Sequence, residues 1–296
     1  MSIVDLETVK ACVLGHAVAD ALGVPVEFKS REWLDRHPVK TMLGYGTYGM
    51  PAGSWSDDTT MVLCALDALA QETFSWADVM ENFVAWYDSG AFTPTGSLFD
   101  IGGACAKAIR NYKDSCDAER CGNTDPGSNG NGSLMRILPF VLYAPGDTAL
   151  AEKASGLTHA HRRSQMACGI FTLVMQALLE TGEKAAYRLG LERAAARYGG
   201  EPEWAHYAPL LSIEERSRES IRSSGYVVDS LEAALWCFAT AGSYKDCVLK
   251  AVNLGEDTDT VAAIAGDLAA CVYGLAGIPQ EWLDTLLRRD DIEALC

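Results

Sequence analysis

The chain has 296 residues, 49% of them hydrophobic and 22% charged, enough to bury a sizeable core in one large domain or two ordinary ones. Its 24 basic and 40 acidic residues leave a formal net charge of −16, a field that recruits neither nucleic acid nor anionic membrane. A phosphate-bearing ligand would have to be held locally, by glycine-loop amides, a helix N-terminus or a placed arginine.

The first residues carry no basic region and no small-residue cleavage site, so no secretion signal is read. The ten cysteines are scattered, several of them (Cys12, Cys64, Cys168, Cys237, Cys271) in apolar helical stretches. Reduced thiols in a cytoplasmic protein are the expectation. Apolar residues then recur at helical spacing almost everywhere. A first helix runs into Ala19-Asp20-Ala21-Leu22-Gly23 and a Pro25-Val26-Glu27 turn. Residues 43–56, rich in glycine and aromatics, lead into Ser56-Asp57-Asp58-Thr59, which opens a helix with Met61, Val62, Ala65, Leu66 and Leu69 on one face.

Asp100, in Phe99-Asp100-Ile101-Gly102, is either a helix cap or a carboxylate placed for a cation. The glycine- and asparagine-rich loop 114–133 holds Cys116 and Cys121, with no second pair to complete a zinc site. It ends in Gly127-Ser128-Asn129-Gly130-Asn131-Gly132-Ser133, where backbone amides can form an anion nest or a plain turn. Arg136 just beyond has two partners open to it, a phosphate or one of the many acids. Thr158-His159-Ala160-His161 closes one helix and opens the next, and residues 166–179 are apolar nearly all round. Tyr226 offers a ring for stacking on a base or ribose, or a core tyrosine.

The last motif, Asp257-Thr258-Asp259-Thr260, echoes the first roughly 200 residues away. It opens a segment, Val261 to Ile278, that glycines and Asp267 interrupt; this reads as a buried core helix, not a membrane span. Each acidic motif taken alone is an ordinary helix start. Together, with Glu27, they can build an all-oxygen pocket on rigid helix ends, which suits Mg²⁺ or Mn²⁺ better than zinc. With no series of β-branched, alternating segments, the fold class expected is all-α: a multi-helix orthogonal bundle of ten or more helices in one domain over residues 1–296.

The ordered set ADALGVPVEF (19–28), PAGSWSDDTTM (51–61), FDIGGA (99–104), GSNGNGSLMRILP (127–139), THAH (158–161), SGYVVDSLEAALWC (224–237) and AVNLGEDTDTVAAIAGDLAACVYG (251–274) resembles the ADP-ribosylglycohydrolase family, from near residue 10 to near residue 275. The resemblance implies a compact all-α fold with two divalent cations, Mg²⁺ or Mn²⁺, held by Ser56, Asp57, Asp58, Asp257, Asp259 and Thr260. It puts Glu27 near the metals and substrate, gives Gly127, Ser128, Asn129 and Asn131 to the diphosphate of ADP-ribose, and makes His159 a substrate contact. Three positions depart from the family pattern. Ser56 stands for a threonine and keeps the hydroxyl. Ala19 stands where a glycine is usual, a packing change. Glu256 replaces a glycine and adds bulk and charge beside the metals.

The reaction implied is hydrolysis of an N-glycosidic bond through an oxocarbenium-like state. Glu27, Asp58 and Asp259 are the candidate proton handlers and metal-bound carboxylates, Asp100 the group that orients a leaving guanidinium, and Tyr226 a stacking residue. The expected partner is an ADP-ribosylated protein, and a monomer is expected. Two rivals stay open: hydrolysis of a serine- or small-molecule-linked ADP-ribose, and a non-catalytic ADP-ribose binder on the same fold.

Overall fold

Apolar residues at helical spacing build the elements of the fold. The structure, a computed structural model, describes residues 4–296 and builds them from fourteen α-helices joined by loops and short 3-10 turns. In chain order these are α1 (Leu6–Gly23), α2 (Arg31–Arg36), α3 (Asp57–Leu69), α4 (Trp76–Ser89), α5 (Gly103–Ser115), α6 (Leu138–Tyr143), α7 (Thr148–Gly156), α8 (Arg162–Thr181), α9 (Tyr187–Tyr198), α10 (Val227–Thr240), α11 (Tyr244–Val252), α12 (Thr258–Tyr273), α13 (Gln280–Thr285) and α14 (Arg289–Leu295). Among the described residues there is no strand, only isolated bridges such as Asn123 with His159 and Gly130 with Tyr226.

Seven of the fourteen starts rest on a side-chain cap. The Asp5 carboxylate accepts the Thr8 amide at 2.8 Å to open α1. Ser75 and Asp78 form a reciprocal capping box on α4, and the His161 ring accepts the Arg163 amide at the head of α8. Such caps satisfy amides that the first turn leaves without a partner.

The central seam is α1 against α12, running antiparallel. Gly15, Ala19 and Gly23 lie one turn apart on α1 and face Ala270, Gly266 and Asp259 on α12 in reverse order. A Cβ at Gly15 would sit 2.5 Å from the Ala270 Cβ, and one at Gly23 only 2.4 Å from the Asp259 amide nitrogen. Small residues at this spacing let the two backbones touch. The departure at Ala19 is a packing substitution here too: its Cβ fills the space over Gly266. Both helices are buried for most of their length, which is why the apolar pattern on them is not one-sided.

The segment Val261 to Ile278 is not one helix. α12 ends at Tyr273, because Gly274 takes φ +64° and ψ −178°, a conformation glycine adopts without a side-chain clash. Among the described residues, the helix long and apolar enough to cross a membrane by length and composition is instead α1 with its following turn, Leu6–Val26, and 89% of its apolar 18-residue window is buried within this fold.

Candidate metal centre and cleft

Helix termini deliver the acidic residues. Ser56 caps α3 and Asp257 caps α12, so both acidic motifs point their carboxylates from first turns packed against the C-terminal end of α1. Thr258 fixes this meeting by donating its hydroxyl to the Gly23 carbonyl at 2.8 Å.

Two sets of oxygens result. One carboxylate oxygen from each of Asp20, Asp58 and Asp259 lies within 4.8 Å of the other two, and the same holds for Glu27, Asp257 and Asp259. Asp259 belongs to both. Asp20 was not among the site residues expected from sequence, where it looked like one polar residue in an apolar helix. The signal was its burial cost: a carboxylate in the middle of a core helix needs partners. It finds them at the head of α3, accepting the Ser56 amide at 2.9 Å, the Thr59 amide at 3.0 Å and the Thr59 hydroxyl at 2.6 Å.

The hydroxyls expected as ligands point at Asp58. Ser56 Oγ donates to Asp58 Oδ2 at 2.8 Å and Thr260 Oγ1 donates to the same oxygen at 3.2 Å. Asp57 stands apart from the two oxygen sets; it lines the cleft and accepts the Gly102 amide at 3.4 Å. Asn131 donates its side-chain amide to Asp257 Oδ2 at 2.8 Å and to Ser230 Oγ at 2.9 Å. Arg31 steadies the α12 entry by donating to the carbonyls of Leu254, Arg218 and Ile221.

The residues fit a divalent cation. Asp58 Oδ1, Asp257 Oδ1 and Asp259 Oδ2 are buried with no hydrogen-bond partner, and buried carboxylate oxygens are rarely left so. Burial, then neighbouring carboxylates, push Asp57, Asp58 and Asp259 well above the usual carboxylate range. Burial and Asp100 raise Glu27 to about 8, and burial raises Asp100 to about 6. The seven acids Asp20, Glu27, Asp57, Asp58, Asp100, Asp257 and Asp259 cannot all ionise together without positive charge among them. No lysine or arginine lines the cleft. Hard oxygens with no thiol or imidazole among them fit Mg²⁺ or Mn²⁺ chemistry.

Above these carboxylates opens a cleft of about 320 Å³, lined by Glu27, Phe28, Asp57, Asp100, Asn131, His159, Asp257 and Thr260 among others. His159 is buried beside Thr158 Oγ1 at 2.8 Å, and burial, with Arg136 nearby, depresses it to about 3, so it is neutral. A shallower groove of about 390 Å³ adjoins at Gly130 and Gly225 and carries Pro126, Gly127, Asn129 and Tyr226. The Tyr226 hydroxyl accepts from Arg163 at 3.0 Å.

Several expected contacts are already committed elsewhere. Asn129 accepts from Ser164 Oγ and donates to the Pro126 carbonyl, and the Ser128 amide donates to the Asp125 carbonyl. Ser128 lines neither the cleft nor the groove. Arg136 is fully buried, donating to the carbonyls of Gly132 and Ala154 and to Thr158 Oγ1; its donors serve the core, and it lines neither the cleft nor the groove. Glu256 does not crowd the cleft. Its side chain is exposed, its φ is +63°, and its backbone pairs with Phe28 and Lys29.

The whole chain, residues 1–296, matches the family model for ADP-ribosylglycohydrolase. The chain belongs to the ADP-ribosylglycohydrolase family and is a glycohydrolase enzyme. Among its relatives, a protein of Pseudomonas putida (strain GB-1) named ADP-ribosylarginine hydrolase Tri1 is 34% identical, over 98% of this chain and 77% of its own length. A Rhodospirillum rubrum protein named ADP-ribosyl-[dinitrogen reductase] glycohydrolase is 31% identical, over 92% of this chain and 88% of its own. A solved structure described as an ADP-ribosylglycohydrolase-related protein complex superposes with a TM-score of 0.81 at 32% identity, covering 98% of this chain and 95% of that one.

Proposed function

We propose that this enzyme cleaves the N-glycosidic bond between ADP-ribose and an arginine side chain of a protein, releasing ADP-ribose and reversing mono-ADP-ribosylation. The observation that carries the reading is the acid cluster at the heads of α3 and α12, where Asp58, Asp257 and Asp259 each keep a buried carboxylate oxygen without a partner. The arginine linkage is favoured by Asp100, a carboxylate lining the cleft where a guanidinium would depart, and by the names of two relatives at 34% and 31% identity.

Asp20, Asp58 and Asp259, with Glu27 and Asp257, would hold Mg²⁺ or Mn²⁺, and the hydroxyls of Ser56 and Thr260 would steady Asp58. Bound divalent cations supply charge that orients ribose hydroxyls and makes water a better nucleophile. The protein's own groups do the rest. Glu27, a cleft-lining carboxyl, is placed to exchange a proton with water as the general acid–base group. Tyr48 donates to Glu27 Oε2 at 2.6 Å and sets the carboxyl's orientation. Water adds to the anomeric carbon, the carbon–nitrogen bond breaks, and the proton released passes to the departing guanidine. Asp100 then faces a full guanidinium cation. Neutral His159, Gly130 and Asn131 line the path toward the groove, where Gly127, Asn129 and Tyr226 offer a surface for the adenosine half.

The test is release of free ADP-ribose from an ADP-ribosyl-arginine peptide, with Mg²⁺ or Mn²⁺ and with chelator. Cation-dependent release is expected, with a loss of about 100-fold or more in Asp259→Ala and Glu27→Gln. Release that persists in chelator, or in Glu27→Gln at full rate, would overturn the assignment. Release from serine-linked but not arginine-linked peptide would move the acceptor and leave the cleavage standing.

A further inference from the structure

The borders of the cleft that the outer groove does not share include Glu27, Phe28 and Asp100. Phe28 is unusual there. It is 69% exposed and holds φ +65°, a left-handed conformation that bulky side chains avoid. Its amide donates to the Glu256 carbonyl at 2.7 Å, so the turn entering α12 locks it in that conformation. The core does not need the ring. Strain held at a binding cleft is a reason to look for function.

Phe28 also does not stand alone. Its ring meets Tyr48 edge-on, centroids 6.4 Å apart, and Tyr48 meets Phe99 at 5.2 Å. This aromatic row runs from the residue after Glu27 to the residue before Asp100. Aromatic faces next to carboxylates are complementary to a flat cation, which gains from both ring quadrupole and ionic hydrogen bonds.

We propose that Phe28, backed by the Tyr48 ring, is the wall on which the leaving guanidinium stacks while Asp100 accepts its hydrogen bonds, making Phe28 the residue that selects a cationic acceptor. The inference rests on the arginine reading above. It also orients the substrate, with the acceptor toward Phe28 and Asp100 and the diphosphate toward Gly130 and Gly225.

The experiment compares Phe28→Gly and Phe28→Tyr with wild type. It measures KM on an ADP-ribosyl-arginine peptide, product inhibition by L-arginine, inhibition by free ADP-ribose, and Tm. Phe28→Gly should raise KM about 10-fold and weaken inhibition by L-arginine alike, in line with a cation–π contact. Inhibition by ADP-ribose should not move, and Tm should rise because glycine relieves the left-handed backbone. Phe28→Tyr, which keeps the ring, should restore KM. Unchanged KM in Phe28→Gly, an equal loss of ADP-ribose inhibition, or a Phe28→Tyr variant as poor as glycine would overturn the wall. A wild type that releases nothing from the arginine peptide would instead sink the functional reading and this inference with it.

Discussion

Asp20 shows how much a single buried carboxylate can organise. It accepts two amides and a hydroxyl at the head of α3, so it caps that helix from a different helix. It also completes an oxygen set with Asp58 and Asp259. Removing it leaves the Ser56 and Thr59 amides buried without partners and takes one carboxylate from the acid cluster. With Mn²⁺ present, Asp20→Ala is expected to lose about 2–4 kcal/mol of stability, read from urea melts, and most of the Tm rise that the cation gives wild type. A variant that keeps the full Mn²⁺ shift would remove Asp20 from the cation site. The same reasoning separates the hydroxyls: Ser56 and Thr260 both donate to Asp58 Oδ2, so they serve the carboxylate whatever else they ligate.

At the scale of elements, the α1–α12 seam brings Asp20 and Asp259 into one acid cluster. Because Gly23 lies against the backbone of Asp259 and Gly15 against Ala270, the two ends of one seam have different jobs. Gly23→Ala and Gly15→Ala should each destabilise by roughly 1–3 kcal/mol through overpacking. Only Gly23→Ala should also weaken Mn²⁺ binding, measured by calorimetric titration, since its methyl displaces the first turn of α12. Equal Mn²⁺ affinity in both variants would show that the pocket tolerates a shifted seam. Between these ends, His16 on α1 bonds Asp267 on α12 at 2.9 Å, both fully buried, a polar tie that fixes how the two helices slide past one another.

How legible this was follows from the kind of signal. Helix existence could be read along the chain because caps and apolar periodicity are local. The acidic motifs were readable because each packs its carboxylates into four residues. Asp20, Tyr48 and Phe28 were not, because nothing in their neighbourhoods differs from an ordinary core helix or an aromatic loop. Their roles come from residues far off in sequence: Thr59 for Asp20, Glu27 for Tyr48, Glu256 for Phe28. The Val261 to Ile278 run misled for the opposite reason, since hydropathy sums across Gly274 and conformation does not.

For the whole molecule, the acid cluster makes stability depend on pH with a defined sign. Without cations, Glu27 is raised from 4.5 to about 8 and Asp100 from 3.8 to about 6. The folded protein therefore binds these protons more tightly than the unfolded chain. Their contribution is full below the unfolded values and is lost as pH rises through the folded ones. His159 works the other way but only at lower pH, depressed from 6.5 to about 3. Between pH 6.5 and 8 the chelated protein should thus lose Tm with rising pH. Mg²⁺ or Mn²⁺ should flatten or reverse that slope, because cation and proton compete for the same oxygens. A chelated Tm that rises across this window would mean the carboxylates are not held as described.

The sequence by itself determined that the chain is helical, that two acidic helix starts and a glutamate turn carry closely spaced carboxylates, and that the motif order is that of the ADP-ribosylglycohydrolase family. Those are properties of neighbours, of composition and of order along the chain. Only the tertiary structure decided which oxygens face one another, that Arg136 is spent on carbonyls in the core, that Glu256 points away from the cleft, and that Phe28 stands at its border. The reason is physical. A short-range pattern fixes a residue's local conformation, but a ligand set is a meeting of helix ends, and here that meeting depends on the close approach of α1 and α12 at glycines a whole chain apart.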